Sequence, residues 1–177
     1  MRRAAPILLA AAALAAFALG GCAQGAASPT VAAEVDGTVV TEADLTAATE
    51  AFNAVMAANG VPTGTPANVL SMAVRGVVAE KAEAAVGLSV TETDVSDRLN
   101  ALGQALFTNP TTKNLVVGTI KLQLLQELVQ GKTAETTAFI SVLVETDVKV
   151  NPRYGSWYVD QLAVADQTGV LASPLTQ

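Results

Sequence analysis

Four stretches of the sequence repeat apolar residues with helical spacing, and start and stop signals accompany them. Thr41 and Thr91 are good N-cap residues, and each is followed three positions later by an aspartate, which is the spacing of a capping box. Asn59-Gly60, Gly87 and Gly131 are typical helix ends. A chain with this pattern buries its apolar residues by packing helix against helix, so the sequence predicts a mainly helical domain.

The predicted helices follow one another with short connections. Helix one begins after Thr41, helix two spans about 66–86, helix three begins at Thr91, helix four spans about 112–130 and a fifth spans 134–144. The residues expected to face inward are Leu45, Ala48, Phe52, Val55 and Met56 in the first; Leu70, Val74, Val77, Val78, Ala82 and Ala85 in the second; Val95, Leu99, Leu102 and Leu106 in the third; Val117, Ile120, Leu124, Leu125 and Leu128 in the fourth; and Phe139, Ile140 and Leu143 in the fifth.

Short extended segments flank this helical region. Residues 31–40 alternate around Asp36-Gly37, a pair that suits a two-residue hairpin turn with positive φ. Residues 147–150 alternate like a strand, and 154–158 are aromatic and predicted to be extended. Residues 161–177 contain Gly169 and Pro174 and are predicted to form a flexible tail.

The N-terminus has the charge order of a secretory signal peptide. Arg2 and Arg3 are followed by an uncharged, mostly apolar run from Ala4 to Gly21. That run is near the lower length limit for a membrane span, so an uncleaved anchor is the alternative interpretation. Either interpretation places the folded part of the chain outside the cytoplasm.

Cys22 follows the small residues Gly20 and Gly21 directly, and Leu19-Gly20-Gly21-Cys22 resembles a bacterial lipobox. The resemblance implies cleavage before Cys22, so that residues 1–21 are a lipoprotein signal peptide and the thiol carries a diacylglycerol. Two acyl chains hold a protein stably on a membrane, where one chain binds only marginally. We therefore expect a lipid-anchored protein on the extracytoplasmic face of the cell membrane, with residues 22–30 as a tether and residues 31–160 as the folded domain.

Composition excludes several classes of function. Without residues 1–21, eight Lys and Arg face sixteen Asp and Glu, a net charge of about −8 that argues against nucleic acid as a partner. The chain has no histidine and one cysteine, so no intramolecular disulfide and no Ser-His or Cys-His nucleophile pair can form. No P-loop, GxGxxG or HExxH motif is present. We expect neither an enzyme nor a cofactor or metal.

Five residues are candidates for binding a partner polypeptide. Met56 and Met72 are flexible side chains on the apolar faces of helices one and two, which suits either an adaptable groove or an ordinary core. Tyr154, Trp157 and Tyr158 are half of the six aromatic residues after the signal peptide. They form either a platform for extended chains or the seal of the helical core, and the core interpretation is favoured because large aromatic side chains dominate core energetics.

Charged residues at helical spacing favour structural roles. Arg153 pairs with either a carboxylate of a bound polypeptide or an acidic residue of a helix, and we expect the second. Glu80 with Glu83, and Asp94 with Asp97, are carboxylate pairs of a kind that can bind metal, but at three-residue spacing they indicate a solvated helix face.

The order of these elements is similar to a known family. A secretory signal, a strand pair with a Val35-Asp36-Gly37 turn, a helix start at 40–45 and the segment 87–91 before another acidic-capped helix resemble the N-terminal chaperone domain of SurA/PrsA-type foldases. Residues 148–157 are similar to the end of the lipoprotein members found in actinobacteria. The resemblance covers about residues 31–157.

The resemblance implies a helical domain whose late strand pairs with the N-terminal hairpin. It also implies transient binding of unfolded or extended exported polypeptides. The parvulin isomerase domain of that family has no place here, since only Gly131-Lys132-Thr133 joins helices four and five. The predicted function is therefore a chaperone-like lipoprotein without isomerase activity, with a non-catalytic adaptor of a cell-envelope complex as the alternative.

Overall fold

A computed structural model describes residues 30–103 and 107–165 and shows a mainly helical protein with two small antiparallel sheets. The predicted signal peptide, Cys22, the first eight tether residues and the end of the predicted tail lie outside these residues. The elements in chain order are β1 Val31–Val35, β2 Thr38–Thr41, α1 Glu42–Ala58, α2 Pro66–Val86, α3 Glu92–Leu102, α4 Pro110–Val129, α5 Thr133–Glu145, β3 Val148–Val150, a 3-10 turn Pro152–Tyr154, β4 Ser156–Tyr158 and β5 Ala163–Ala165.

The predicted hairpin is present, and its turn explains why it forms. Asp36 and Gly37 have φ angles of 45° and 84°, as the primed hairpin turns require. This turn pairs Val35 with Thr38, and β3 then pairs antiparallel with the other side of β1. The strand order β2-β1-β3 confirms that a late strand closes onto the N-terminal hairpin.

Side-chain caps begin the helices where the sequence predicted. Thr41 accepts a hydrogen bond from the Asp44 N–H at 3.1 Å, and Thr91 does the same with Asp94. Gly87 has a φ of 64° and caps the end of α2 in the left-handed conformation that glycine adopts without strain. These signals are local in sequence, which is why the helix boundaries could be predicted.

Helix α2 lies at the centre of the domain and packs against α1, α4, α5, β1 and β5. Its contact with α4 is closest at two glycines, Gly76 and Gly118, where the helix backbones approach each other directly. A methyl group added at Gly118 would lie 2.6 Å from the Gly76 Cα, whereas one added at Gly76 would lie 3.7 Å from the Gly118 Cα. The contact between the two helices therefore has room for an alanine methyl group at Gly76 of α2 but not at Gly118 of α4.

Four residues predicted to face inward are exposed instead, and a fifth, Leu106, lies outside the described residues. Ala85 is exposed, and Leu102, Leu128 and Ile140 have 55%, 39% and 52% of their surface exposed. The buried face of α5 is centred on Phe139, and the neighbouring residue on a helix is rotated by about 100°. Ile140 therefore points away from the core, although its type alone predicted burial. In α4 the pattern did not predict Leu122 and Val129 as core, although they are only 2% and 3% exposed.

The C-terminal region is more structured than predicted. Residues 152–154 form a 3-10 turn, because Pro152 at its start has a φ suited to a helical turn. Tyr154, which was predicted to be extended, therefore lies in this turn, and the strand begins at Ser156. The folded chain also continues past residue 160, where the tail was predicted to begin. Strand β5 pairs with β4, and Val164 is buried. Its N–H donates to the Ser71 hydroxyl of α2 at 2.8 Å, a contact that links positions far apart in sequence.

The glycine crossing leads to a paired prediction about stability. Alanine is favoured over glycine in a helix by about 1 kcal/mol, so Gly76→Ala should leave the free energy of unfolding unchanged or raise it. Gly118→Ala should lower it by about 1–3 kcal/mol, because the new methyl group forces two backbones apart. Urea unfolding of both variants measures the difference. Equal effects of the two substitutions would contradict this geometry.

Candidate functional site

The structure does not bring the five candidate binding residues into one groove. Met56 is 6% exposed, so its side chain belongs to the interior. Met72, Tyr154 and Trp157 are half-buried and pack against the core, and Tyr158 is half-buried in β4. Met56 is therefore not available to a partner in this conformation, and the others offer only part of their surface.

The carboxylate of Glu42 connects the start of α1 to the C-terminal segment. One of its oxygens accepts a hydrogen bond from the Asn151 Nδ2 at 3.2 Å. The other accepts from the Arg153 Nη1 at 2.8 Å and from the Tyr154 hydroxyl at 3.0 Å. The ion pair confirms the expectation that Arg153 pairs with an acidic residue of a helix. The Glu42 side chain is 20% exposed, so the part-buried bonds from Asn151 and Tyr154 are partly shielded from water, whereas the Arg153 side chain is 62% exposed.

Asn151 extends the same cluster to the first strand. Its Nδ2 also donates to the Val31 carbonyl at 3.1 Å, and its backbone N–H donates to the Ala32 carbonyl at 2.9 Å. The backbone N–H of Glu42 in turn donates to the Thr30 carbonyl at 2.8 Å. The point where the tether enters the domain is thus joined to both the first helix and the closing segment.

This environment changes the acidity of Tyr154. Burial raises the pKa of Tyr154 above its ordinary value of 10.0, and the hydrogen bond to the charged Glu42 carboxylate raises it further. The Arg153 guanidinium, 5.9 Å from the centre of the ring, acts in the opposite direction and is the smaller effect. The protonated hydroxyl therefore stays a donor to Glu42 beyond the pH at which a free tyrosine ionises.

One member of each acidic pair that the sequence singled out has a structural partner. Glu83 accepts a hydrogen bond from the Val90 N–H at 2.9 Å and lies 3.6 Å from the Lys121 ammonium. Asp94 caps its own helix through Thr91. Within 30–103 and 107–165, no group of three or more His, Cys, Asp or Glu side chains is placed to hold a metal ion.

A shallow, open pocket of about 550 Å³ lies beside the C-terminal half of α1. Its walls are small or polar side chains, so it offers little apolar area to a ligand. The residues that line it are Ala51, Ala54, Val55, Ala58, Asn59, Thr108 and Asn109.

Exposed branched side chains on α5 form the most apolar surface feature of that helix. Ile140 and Val144 lie one turn apart and are 52% and 68% exposed. Thr137 precedes them on the same side, and α5 has no charged residue between Glu135 and Glu145. We call this the α5 face, defined by Thr137, Ile140 and Val144. The pattern of the sequence assigned Ile140 to the core and gave no signal for this surface.

The second sheet has its outer edge covered by α2. Besides the bond from Val164 to Ser71, the Arg75 Nε donates to the Leu162 carbonyl at 2.5 Å. Partial burial lowers the pKa of Arg75. The guanidinium of an arginine nevertheless keeps its charge in proteins. Two side chains of α2 thus occupy backbone groups that an edge strand would otherwise present to solvent.

Comparisons with protein-family models, with curated proteins and with solved structures found no match. No helix in the described part of the chain has the length and apolar content needed to cross a bilayer. The contacts and surfaces above are therefore the basis for a functional proposal.

Tyr154 provides a test of the Glu42 cluster through pH. In a Tyr158→Phe variant Tyr154 is the sole tyrosine, and its phenolate absorbance should appear above pH 10 in the folded protein and near pH 10 in urea. A pKa raised by folding stabilises the protein fully below the unfolded value, and this stabilisation is lost as pH rises through the folded value. The free energy of unfolding should therefore fall above about pH 10, and less steeply in Tyr154→Phe. A folded midpoint at or below the unfolded one would contradict the assignment.

Proposed function

We propose that this chain is a lipoprotein, anchored through Cys22 on the extracytoplasmic face of the membrane, that binds non-native exported polypeptides. The proposal includes no catalysis and no cofactor. Its support from the sequence is the order of Arg2-Arg3, an uncharged run and a cysteine after two glycines. Its support from the fold is a helical domain closed by a late strand, the architecture implied by the resemblance to SurA/PrsA-type chaperone domains.

The observation that carries the binding role is the α5 face. Unfolded polypeptides differ from folded ones in exposing apolar side chains, and burying such side chains against a partner is favourable without any energy source. Ile140 and Val144 offer branched apolar groups to solvent, with no charged side chain between Glu135 and Glu145 that would have to be desolvated. A surface of this kind binds many sequences weakly, which suits a protein that must release what it binds.

The tether supports a role close to the membrane. Seven residues lie between Cys22 and Thr30, so the start of β1 lies within about 30 Å of the proposed anchor. Exported chains that emerge at the same membrane are then at a high local concentration relative to the α5 face.

The absence of an isomerase is supported by the connection between α4 and α5. Helix α4 ends at Val129 and α5 begins at Thr133, and the Thr136 hydroxyl donates back to the Val129 carbonyl at 2.6 Å. A connection this short and this tightly bonded leaves no space for an inserted domain of about a hundred residues. We therefore propose binding alone, and the alternative of a non-catalytic adaptor differs only in that its partner is folded.

Suppression of aggregation distinguishes the chaperone proposal from the adaptor alternative. The mature chain in phosphatidylcholine vesicles, at several-fold excess, should slow light scattering by a thermally unfolding exported enzyme. Replacing Ile140 and Val144 together by Gln should remove most of this effect, while Val61→Gln should not, since Val61 is exposed but lies outside the α5 face. All three substitutions lie at the surface and should change stability by less than about 0.5 kcal/mol each.

The unmodified chain gives the decisive result in that assay. If it does not slow aggregation at any excess tested, the chaperone proposal is wrong and the adaptor proposal is favoured. If the double variant is as active as the parent protein, binding occurs but the α5 face does not mediate it.

A further inference from the structure

We propose that the outer edge of β2 receives an extended segment of a bound non-native polypeptide as an added antiparallel strand. This inference rests on the proposed function and states where and how the polypeptide is held. The surface consists of backbone groups at Val39, with Thr38, Val40 and Thr41 on either side. The partner class is defined by that chemistry, since only another extended main chain matches an open row of N–H and C=O groups.

The direction of the backbone groups follows from the pairing on the other side of β1. The Asp36 N–H donates to the Asp147 carbonyl at 2.9 Å, so Asp36 faces β3. Backbone groups alternate in direction along a strand, and residue 34 therefore also faces β3. Ala33 and Val35, which lie between, face β2.

The residues of β2 that pair with Ala33 and Val35 determine which backbone groups of β2 point away from β1. In the hairpin register Val35 lies opposite Thr38 and Ala33 lies opposite Val40, so these two residues of β2 face β1. Val39 lies between them, and its N–H and C=O point to the outside of the sheet. Val39 as a whole residue is 40% exposed, so its position is not covered completely by the rest of the described chain.

The outer edge of β5 is less available. Ser71 and Arg75 of α2 occupy backbone groups at Val164 and Leu162 on that side. Strand β4 contacts β3 but belongs to the other sheet. The outer edge of β2 pairs with no strand among residues 30–103 and 107–165.

The composition of β2 also lacks the usual protection of an edge. Soluble proteins place Lys, Pro or inward-pointing charges on exposed edge strands to prevent pairing with other chains. Strand β2 reads Thr-Val-Val-Thr, with no charge and no proline. Its four residues limit an added strand to a few hydrogen bonds, so the association is weak and reversible, as the release of a polypeptide requires.

A proline at position 39 tests this directly. Proline removes the outward N–H and is tolerated on an edge strand where that N–H makes no bond within the sheet. The matched control is Val39→Thr, which keeps the N–H and the β-branched shape. The probe is reduced and carboxymethylated α-lactalbumin, a permanently unfolded secreted polypeptide, added to the mature chain in phosphatidylcholine vesicles.

Two readouts are expected to agree. Hydrogen exchange of the Val39 amide should slow at least tenfold when the probe is bound. The dissociation constant of the probe should rise at least tenfold in Val39→Pro and stay within twofold in Val39→Thr. If Val39→Pro fails to fold, the exchange of the Val39 amide in the unmodified chain decides the question alone.

Three results would overturn the inference, and they differ in what else they affect. Binding of the probe without slower exchange at Val39 would reject strand addition and leave the proposed function standing. If exchange of the Val39 amide slows without the probe as the concentration of the protein is raised, the edge of β2 pairs with a second copy of this chain. No binding of the probe at all would reject the proposed function together with this inference.

Discussion

The contact on which the fold depends most is the carboxylate of Glu42 with the segment that closes the chain. Asn151, Arg153 and Tyr154 all donate to it, and Asn151 also bonds to the carbonyls of β1. The chain has no cysteine besides Cys22, so no disulfide can perform this closure. The hydrogen bonds are worth about 1 kcal/mol each when both partners are present, and more is lost when one partner is removed and the others stay buried.

This closure joins the N-terminal hairpin to the end of the fold. Helix α2 packs against β1, α4, α5 and β5, so the hairpin and the α5 face belong to one packed unit. The glycine crossing between α2 and α4 brings these helices close enough for their apolar side chains to form a common core. Among the described residues, the outer edge of β2 pairs with no other strand, and Ile140 and Val144 of the α5 face are exposed.

Local signals in the sequence were sufficient for the helices and for the hairpin. Thr41 and Gly87 act on residues within four positions, and Asp36-Gly37 determines its own turn. Features that depend on distant partners could not be predicted in this way. Strand β5 depends on Ser71 and Arg75, and the exposure of Ile140 depends on which side of α5 meets α2. The apolar side chain of Ile140 predicted burial, and its exposure is what makes it a candidate binding residue.

In the proposed function, a lipid holds a packed domain close to emerging polypeptides. The sequence predicts the anchor at Cys22, and the hydrogen bond from the Glu42 N–H to the Thr30 carbonyl joins the end of the predicted tether to the start of α1. The intact mass of the chain isolated from membranes tests this most directly. The account predicts a chain that begins at Cys22 and carries a diacylglycerol on its sulfur. A chain that retains residues 1–21, or that begins at Cys22 with an unmodified thiol, would contradict it.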